Sequence, residues 1–123
     1  MIMTQEEKDL LLRDLCSRLP YDVKALCENE IVFIKSCIDD NVYVKFNGAS
    51  IIVDMLIDEV KPYLFPLSSM KWEQKKELID ILEDKSDDEF EYKVVDLYNK
   101  NHIDYRGLIP MGLAIDATNL NIY

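Results

Sequence analysis

Glycine is scarce in this chain. Only Gly48, Gly107 and Gly112 occur in 123 residues, and none belongs to a Gly-x-Gly-x-x-Gly or Walker run, so no glycine-rich loop is available to cradle a phosphate. Histidine is scarcer still, with His102 alone. There is no His-Glu-x-x-His pair, and a Cys-His or Ser-His dyad would need partners from distant parts of the chain. A histidine that ends a helix and meets its last carbonyls is the better expectation for His102. The three cysteines, Cys16, Cys27 and Cys37, are odd in number and show no Cys-x-x-Cys spacing. That argues against a disulfide framework or a zinc site, and for free thiols in a reducing cytoplasm. No apolar run approaches the roughly 20 residues of a spanning helix. Glu6, Glu7 and Asp9 stand where a leader would carry basic residues. The expectation is a cytoplasmic protein with no cofactor, no metal and no membrane contact.

Basic charge is also in deficit: 24 acidic residues against 14 basic ones give a formal charge of −10. Such a field repels a polyphosphate, which disfavours direct binding of nucleic acid. The composition, 49% hydrophobic and 31% charged, is that of a globular chain. A single domain over residues 1–123 is long enough to bury a core without cross-links.

The stretch from Tyr21 to Leu67 carries the strongest pattern. Asn47-Gly48 suits a type I′ hairpin turn, which pairs Phe46 with Ala49, Val44 with Ile51 and Val42 with Val53. A three-residue loop at Asp39-Asp40-Asn41, with Asn41 left-handed, pairs Ile38 with Val42, Ser36 with Val44 and Ile34 with Phe46. A four-residue loop from Glu28 to Ile31 sets Cys27 opposite Val32 and Ala25 opposite Ile34. All three turns gather the apolar residues on one face, and a one-residue slip in any of them would turn that strand's set outward. The other face, with Lys24, Leu26, Phe33, Lys35, Cys37, Tyr43, Lys45 and Ile52, is mixed. The reading is a four-strand antiparallel meander, of a kind that can close into an SH3-like barrel.

Helices flank it. Thr4 with Glu7 forms a capping box for a helix to about Leu19, where Pro20 stops it, and Leu11, Leu12, Leu15, Cys16 and Leu19 form its apolar stripe. Glu59 to Leu67 is extended, because Pro62 and Pro66 push their predecessors out of the helical region, and it is expected to strap the open end of the sheet. Ser68 or Ser69 is expected to cap a second helix to about Leu82, with Leu78, Ile79 and Leu82 inward and Trp72 in its first turn. Asp88 and Glu91 fit a second capping box, opening a third helix that ends near Asn101. Asp104 is expected to cap a short helix closed by a left-handed Gly112, and Leu113 to Tyr123 to dock as an extended tail or edge strand. The fold class is α+β: a helix, the meander, two to three helices and the tail.

Asp80 to Glu91 holds seven acidic residues and one lysine. Asp84, Ser86 and Asp88 alternate like calcium ligands, but Glu89 at the sixth position and Val95 at the twelfth replace the required Gly and Glu, so the run is read as a solvated acidic loop. An exposed loop of carboxylates provides neither the burial nor the fixed spacing that separates an acid from a base. An enzyme is therefore not expected. Candidate contact residues for an unidentified protein partner are Tyr63, Phe65 and Trp72. A runner-up reading makes Asp84, Asp87, Asp88 and Glu89 the working surface of an acidic inhibitor or DNA mimic directed at a basic protein. A third is sequestration of a small ligand.

Lys61-Pro62-Tyr63-Leu64-Phe65-Pro66-Leu67-Ser68-Ser69-Met70, Glu73-Gln74-Lys75-Lys76-Glu77-Leu78, Gly107-Leu108-Ile109 and the segment from Gly112 to Tyr123 resemble recurring segments of a group of small hypothetical proteins of gut anaerobes, their phages and mobile elements. Lys71-Trp72 and Pro110-Met111 depart from that pattern, where polar helix formers would stand. The resemblance covers about half of the chain and implies no activity; it suggests a phage or mobile-element accessory protein.

Overall fold

The computed structural model describes residues 3–84, 86 and 88–123. It is an α+β fold in the order α1 (Gln5–Arg18), β1 (Lys24–Cys27), β2 (Glu30–Ile38), β3 (Asn41–Phe46), β4 (Val53–Leu56), β5 (Val60–Pro66), α2 (Trp72–Glu83), α3 (Phe90–Lys100), β6 (Ile103–Asp104) and β7 (Ile115–Asp116). The strands run β4-β3-β2-β1-β5-β6, with β7 also on β5. This order is open: β4 pairs with β3 alone and does not return to the far edge, so the sheet is not a closed SH3-like barrel.

The meander forms as expected in its faces and differs in its registers. The first and third hairpins are offset by two residues from the expected pairing, and the second by two on one side of a bulge and by one on the other. Glu28 and Asn29 both take left-handed backbone, at φ 52° and 63°, and make a two-residue turn that sets Cys27 opposite Glu30 and Ala25 opposite Val32. Ile34 meets Val44 rather than Phe46. In the third hairpin Gly48 is left-handed (φ 81°) and Asn47 is not, so the turn is not type I′. The Ala49 amide still bonds the Phe46 carbonyl, but Val44 pairs with Val53 and Ile51 is left exposed. An offset of two residues leaves each side chain on its own face, and hence Val23, Ala25, Cys27, Val32, Ile34, Val42 and Val44 all reach the core.

A bulge between Ile34 and Ser36 changes the phase once. Beyond it, Cys37 sits opposite Val42 and packs on the core, whereas Ser36 was expected there. Burial, and then the neighbouring Cys16 thiol, push the Cys37 thiol up to about 12. Asp39, not Asn41, takes the left-handed position in the turn between β2 and β3. The segment after β4 is no strap: Val60 to Pro62 pair with β1 as a fifth strand. It continues past β1 to receive β7 at Tyr63–Leu64 and β6 at Phe65–Pro66, both parallel.

Helix α1 has the expected capping box. The Glu7 amide bonds the Thr4 hydroxyl at 3.1 Å and the Thr4 amide bonds Glu7 Oε1 at 2.9 Å. Leu11 and Leu15 are fully buried against the sheet, Leu12 and Leu19 partly, while Cys16 is exposed. The same face holds a charged pair that the apolar stripe did not announce. Arg18 Nε and Nη2 donate to the two Asp14 oxygens at 2.8 and 3.1 Å, Nη2 also donates to the Ile103 carbonyl at 2.6 Å, and Arg106 Nε reaches Asp14 at 3.1 Å. Tyr105 lies against both guanidinium groups and stacks on Tyr98. These contacts fasten α1 to β6 and to the end of α3.

In the tail, Asp104 caps a single turn rather than a helix: its carboxylate accepts from the Leu108 and Ile109 amides at 2.9 and 2.8 Å. Gly112 closes that turn at φ 78°, as expected. Leu113, Ala114 and Ala117 are buried, which docks the segment on the body through β7.

Removing one partner of a buried ion pair strands the other charge. Asp14→Ala should therefore lower unfolding stability in a urea titration by about 3–5 kcal/mol. A loss below about 1 kcal/mol, the range of exposed pairs, would remove the pair from the framework.

Candidate functional site

The expected contact residues separate in the structure. Tyr63 is a core side chain of β5, 7% exposed, and its carbonyl accepts from the Tyr123 hydroxyl at 2.9 Å. Phe65 is half-buried, with its ring 5.9 Å from that of Tyr123. Only Trp72 stands in solvent, 70% exposed. The helix that begins there is the unusual element. None of the 12 residues of α2 is buried, because its expected inner stripe is not turned inward: Leu78 is half-buried while Ile79 and Leu82 are exposed at 52% and 53%. Trp72 and Ile79 are one heptad apart and Leu82 follows at three residues, so the three share a side of the helix. The Lys76 ammonium lies over the Trp72 ring at 5.6 Å. Phe90 and Tyr92 add exposed aromatic surface at the start of α3.

Neither helix is capped as its sequence suggested. Leu67–Ser69 form a 3₁₀ turn, the Ser69 hydroxyl lies 3.2 Å from that of Thr118, and Lys71 takes the N-cap position of α2. An ammonium has no lone pair to offer the first-turn amides, so the end is fixed from the other side, by Gln74 Oε1 accepting from the Lys71 amide at 2.9 Å. At α3 the N-cap is Glu89, without a side-chain cap bond, rather than Asp88. Asp84, Asp88 and Glu89 are exposed in the connection between the helices, and Asp84 accepts from the Ser86 amide and hydroxyl. Asp87 lies outside the described residues. Asp84, Asp88 and Glu89 thus stand at the C-terminal end of the α2 stripe.

Behind the start of α2 lies a cavity of about 340 Å³, bounded by Phe65, Ser69, the helix start at Lys71 and Gln74, the end of α3 at Lys100 and Asn101, His102, and the tail at Thr118, Asn119 and Tyr123. These positions are up to 58 residues apart (123 − 65), and no local motif links them, so the sequence offered no signal of the cavity. Lys100 also bonds Glu77 at 2.8 Å.

His102 does not meet terminal carbonyls through its ring. Its backbone ends α3, left-handed at φ 57°, with its amide on the Asn99 carbonyl and its carbonyl accepting from the Phe65 amide. The imidazole stacks on Tyr123 at 3.7 Å between ring centres, and Nδ1 is buried without a partner. Burial, and then the charges of Arg18 and Lys24, lower its pKa to about 4. The ring is neutral at neutral pH, and among the described residues no nucleophile is hydrogen-bonded to it. Desolvation raises the Tyr123 phenol to about 12, although the residue as a whole stays 41% exposed. Among the described residues no three His, Cys, Asp or Glu side chains cluster as metal ligands, and no helix is long and apolar enough to cross a membrane.

Comparison with protein-family models, with curated proteins and with solved structures finds no match to this chain.

The histidine gives a pH test. Its folded pKa lies below the ordinary 6.5, so between the two values the unfolded chain binds the extra proton. The contribution of His102 is then whole above pH 6.5 and is lost as pH falls toward about 4. NMR titration should find the His102 ring still neutral at about pH 5.5, well above its lowered value and below the ordinary one; an ordinary midpoint would show that the ring is not held against Tyr123.

Proposed function

We propose that this chain is a non-enzymatic protein-interaction module whose contact surface is the outer side of α2 with the start of α3. One observation carries the reading: α2 buries none of its residues while Trp72, Ile79 and Leu82 stand together in solvent. Grouped exposed apolar side chains of this size are characteristic of surfaces that are covered in use, and tryptophan is a frequent anchor of such contacts. The charge nearby narrows the partner. Because Asp80 to Glu91 is strongly acidic and closes one end of the stripe, the fitting partner is a protein with an apolar groove bordered at one end by basic side chains. Trp72 belongs to this surface; Tyr63 and Phe65 belong to β5 and meet Tyr123 instead.

A role as an acidic inhibitor or DNA mimic ranks second. A mimic needs carboxylates at phosphate-like intervals over a long surface, and here they are gathered in one connection. The resemblance of the 61–70 and 112–123 segments supports an accessory role in a phage or mobile element, acting in the cytoplasm.

Trp72→Ala combined with Ile79→Ala should leave the circular dichroism spectrum and unfolding midpoint nearly unchanged, since exposed positions cost within about 0.5 kcal/mol. The same double variant should lose the proteins that the tagged wild-type chain captures from its host's lysate at high salt. Capture that survives the double substitution would reject this surface, and capture lost with added salt alone would favour the acidic reading.

A further inference from the structure

The cavity behind α2 carries a second inference, independent of the outer face. The chain holds 24 acidic residues, yet no carboxylate side chain is among the ten residues that line this space, while two of them are Lys71 and Lys100. In a protein of charge −10, that brings a positive side chain to this space at Lys71, Lys100 being paired with Glu77. Other donors converge there. Gln74 has committed its oxygen to the Lys71 amide, which leaves its NH₂ group for a ligand, and Asn119 brings a second amide. The first turn of α2, which opens on this space at Lys71 and Gln74, has no side-chain acceptor on its amides. Those amides and the positive end of the helix dipole favour an anion. The remaining wall is flat and aromatic, from Phe65 and the stacked His102–Tyr123 pair.

We propose that this cavity is a binding site for a small organic anion that carries a flat ring, its carboxylate or phosphate held by Lys71 and Lys100 and its ring set against the Phe65–Tyr123–His102 wall. A volume of about 340 Å³ lies at the lower end of small-molecule sites and suits a molecule of mononucleotide size or less. The anion competes with Glu77 for Lys100, which sits 2.8 Å from that carboxylate, and Lys71 is its principal charge partner. Binding here leaves the Trp72–Ile79–Leu82 side of α2 free, so this inference stands or falls apart from the interaction surface.

The test is an NMR titration of the full isotope-labelled chain with four probes: AMP, benzoate, inorganic phosphate and adenosine. Saturable shifts at His102, Asn119 and Tyr123 are expected with AMP or benzoate, and whichever binds tighter identifies the preferred head group. Phosphate and adenosine, each lacking one half of the recognition, should bind at least about tenfold more weakly, a difference of about 1.4 kcal/mol. Lys71→Ala should weaken the better probe by about ten- to a hundredfold, as for loss of one charge-assisted hydrogen bond, with the rest of the spectrum unchanged. Lys71→Arg, which keeps the charge, should restore most of the affinity. Absence of saturable shifts with both ring-bearing anions overturns the proposal. So does adenosine binding as tightly as AMP, phosphate binding as tightly as AMP, or affinity indifferent to Lys71→Ala.

Discussion

The fold turns on one buried carboxylate. Asp14 is wholly enclosed, yet it receives two guanidinium groups, and one of these, Arg18, goes on to bond the Ile103 carbonyl. A charge placed so deeply is tolerable only with its partners in place. The demand acts in both directions. It fixes α1 over the inner face of the sheet, where Leu11 and Leu15 complete the core. It also fixes β6 beside α1, and with β6 the end of β5, the end of α3 and the tail that carries Tyr123. Arg18 keeps one nitrogen, Nη1, buried and unpartnered, so this device secures geometry at some cost in satisfied bonds. The meander alone would give a half-covered sheet; the Asp14 cluster attaches the second half of the chain to it.

That attachment explains the division of labour in the second half. β5, β6 and β7 are held by backbone pairing, by the Phe65 amide on His102 and by the Ala117 amide on Leu64. Helix α2 has no such hold: it rests mainly on α3 and buries none of its own residues. A helix of 12 residues is marginal alone, so α2 persists because it packs on α3, with Leu78 and Ile81 half-buried, not because its whole apolar arc is used. The unused part of the arc, with Trp72, is the surface assigned to a partner. The space between α2 and the body is the cavity lined by Lys71, Lys100 and the aromatic wall.

The sequence disclosed faces better than registers. Alternation along a strand is blind to a slip of two, so Cys27, Ile34 and Val44 were placed on the right face opposite the wrong partners. The bulge beside Lys35 has no local mark and reversed the roles of Ser36 and Cys37. The capping box at Thr4 was legible because both halves lie within four residues; the cap of α2 was not, since it depends on Ser69 turning away to Thr118. Asp14 and Arg18 interrupt the apolar stripe, yet they stand four apart and continue the spacing of Leu11 and Leu15. An oppositely charged pair inside an apolar stripe is a readable sign of a buried bridge. Amphipathic patterning showed which residues of α2 form a stripe, but a stripe looks the same whether its own chain or another molecule covers it. Lys71, Lys100 and Asn119 meet only through the tertiary fold.

Trp72 is the single tryptophan, so its fluorescence reports directly on whether the α2 stripe is open in the isolated chain. The decisive measurement is emission and acrylamide quenching of the native protein beside the same protein in urea. An open stripe predicts native emission close to that of the unfolded chain, with a quenching constant that is nearly the same in both. A blue-shifted native emission, protected from the quencher, would place Trp72 inside the protein or against a second copy, and would contradict an interaction surface left open on the isolated chain.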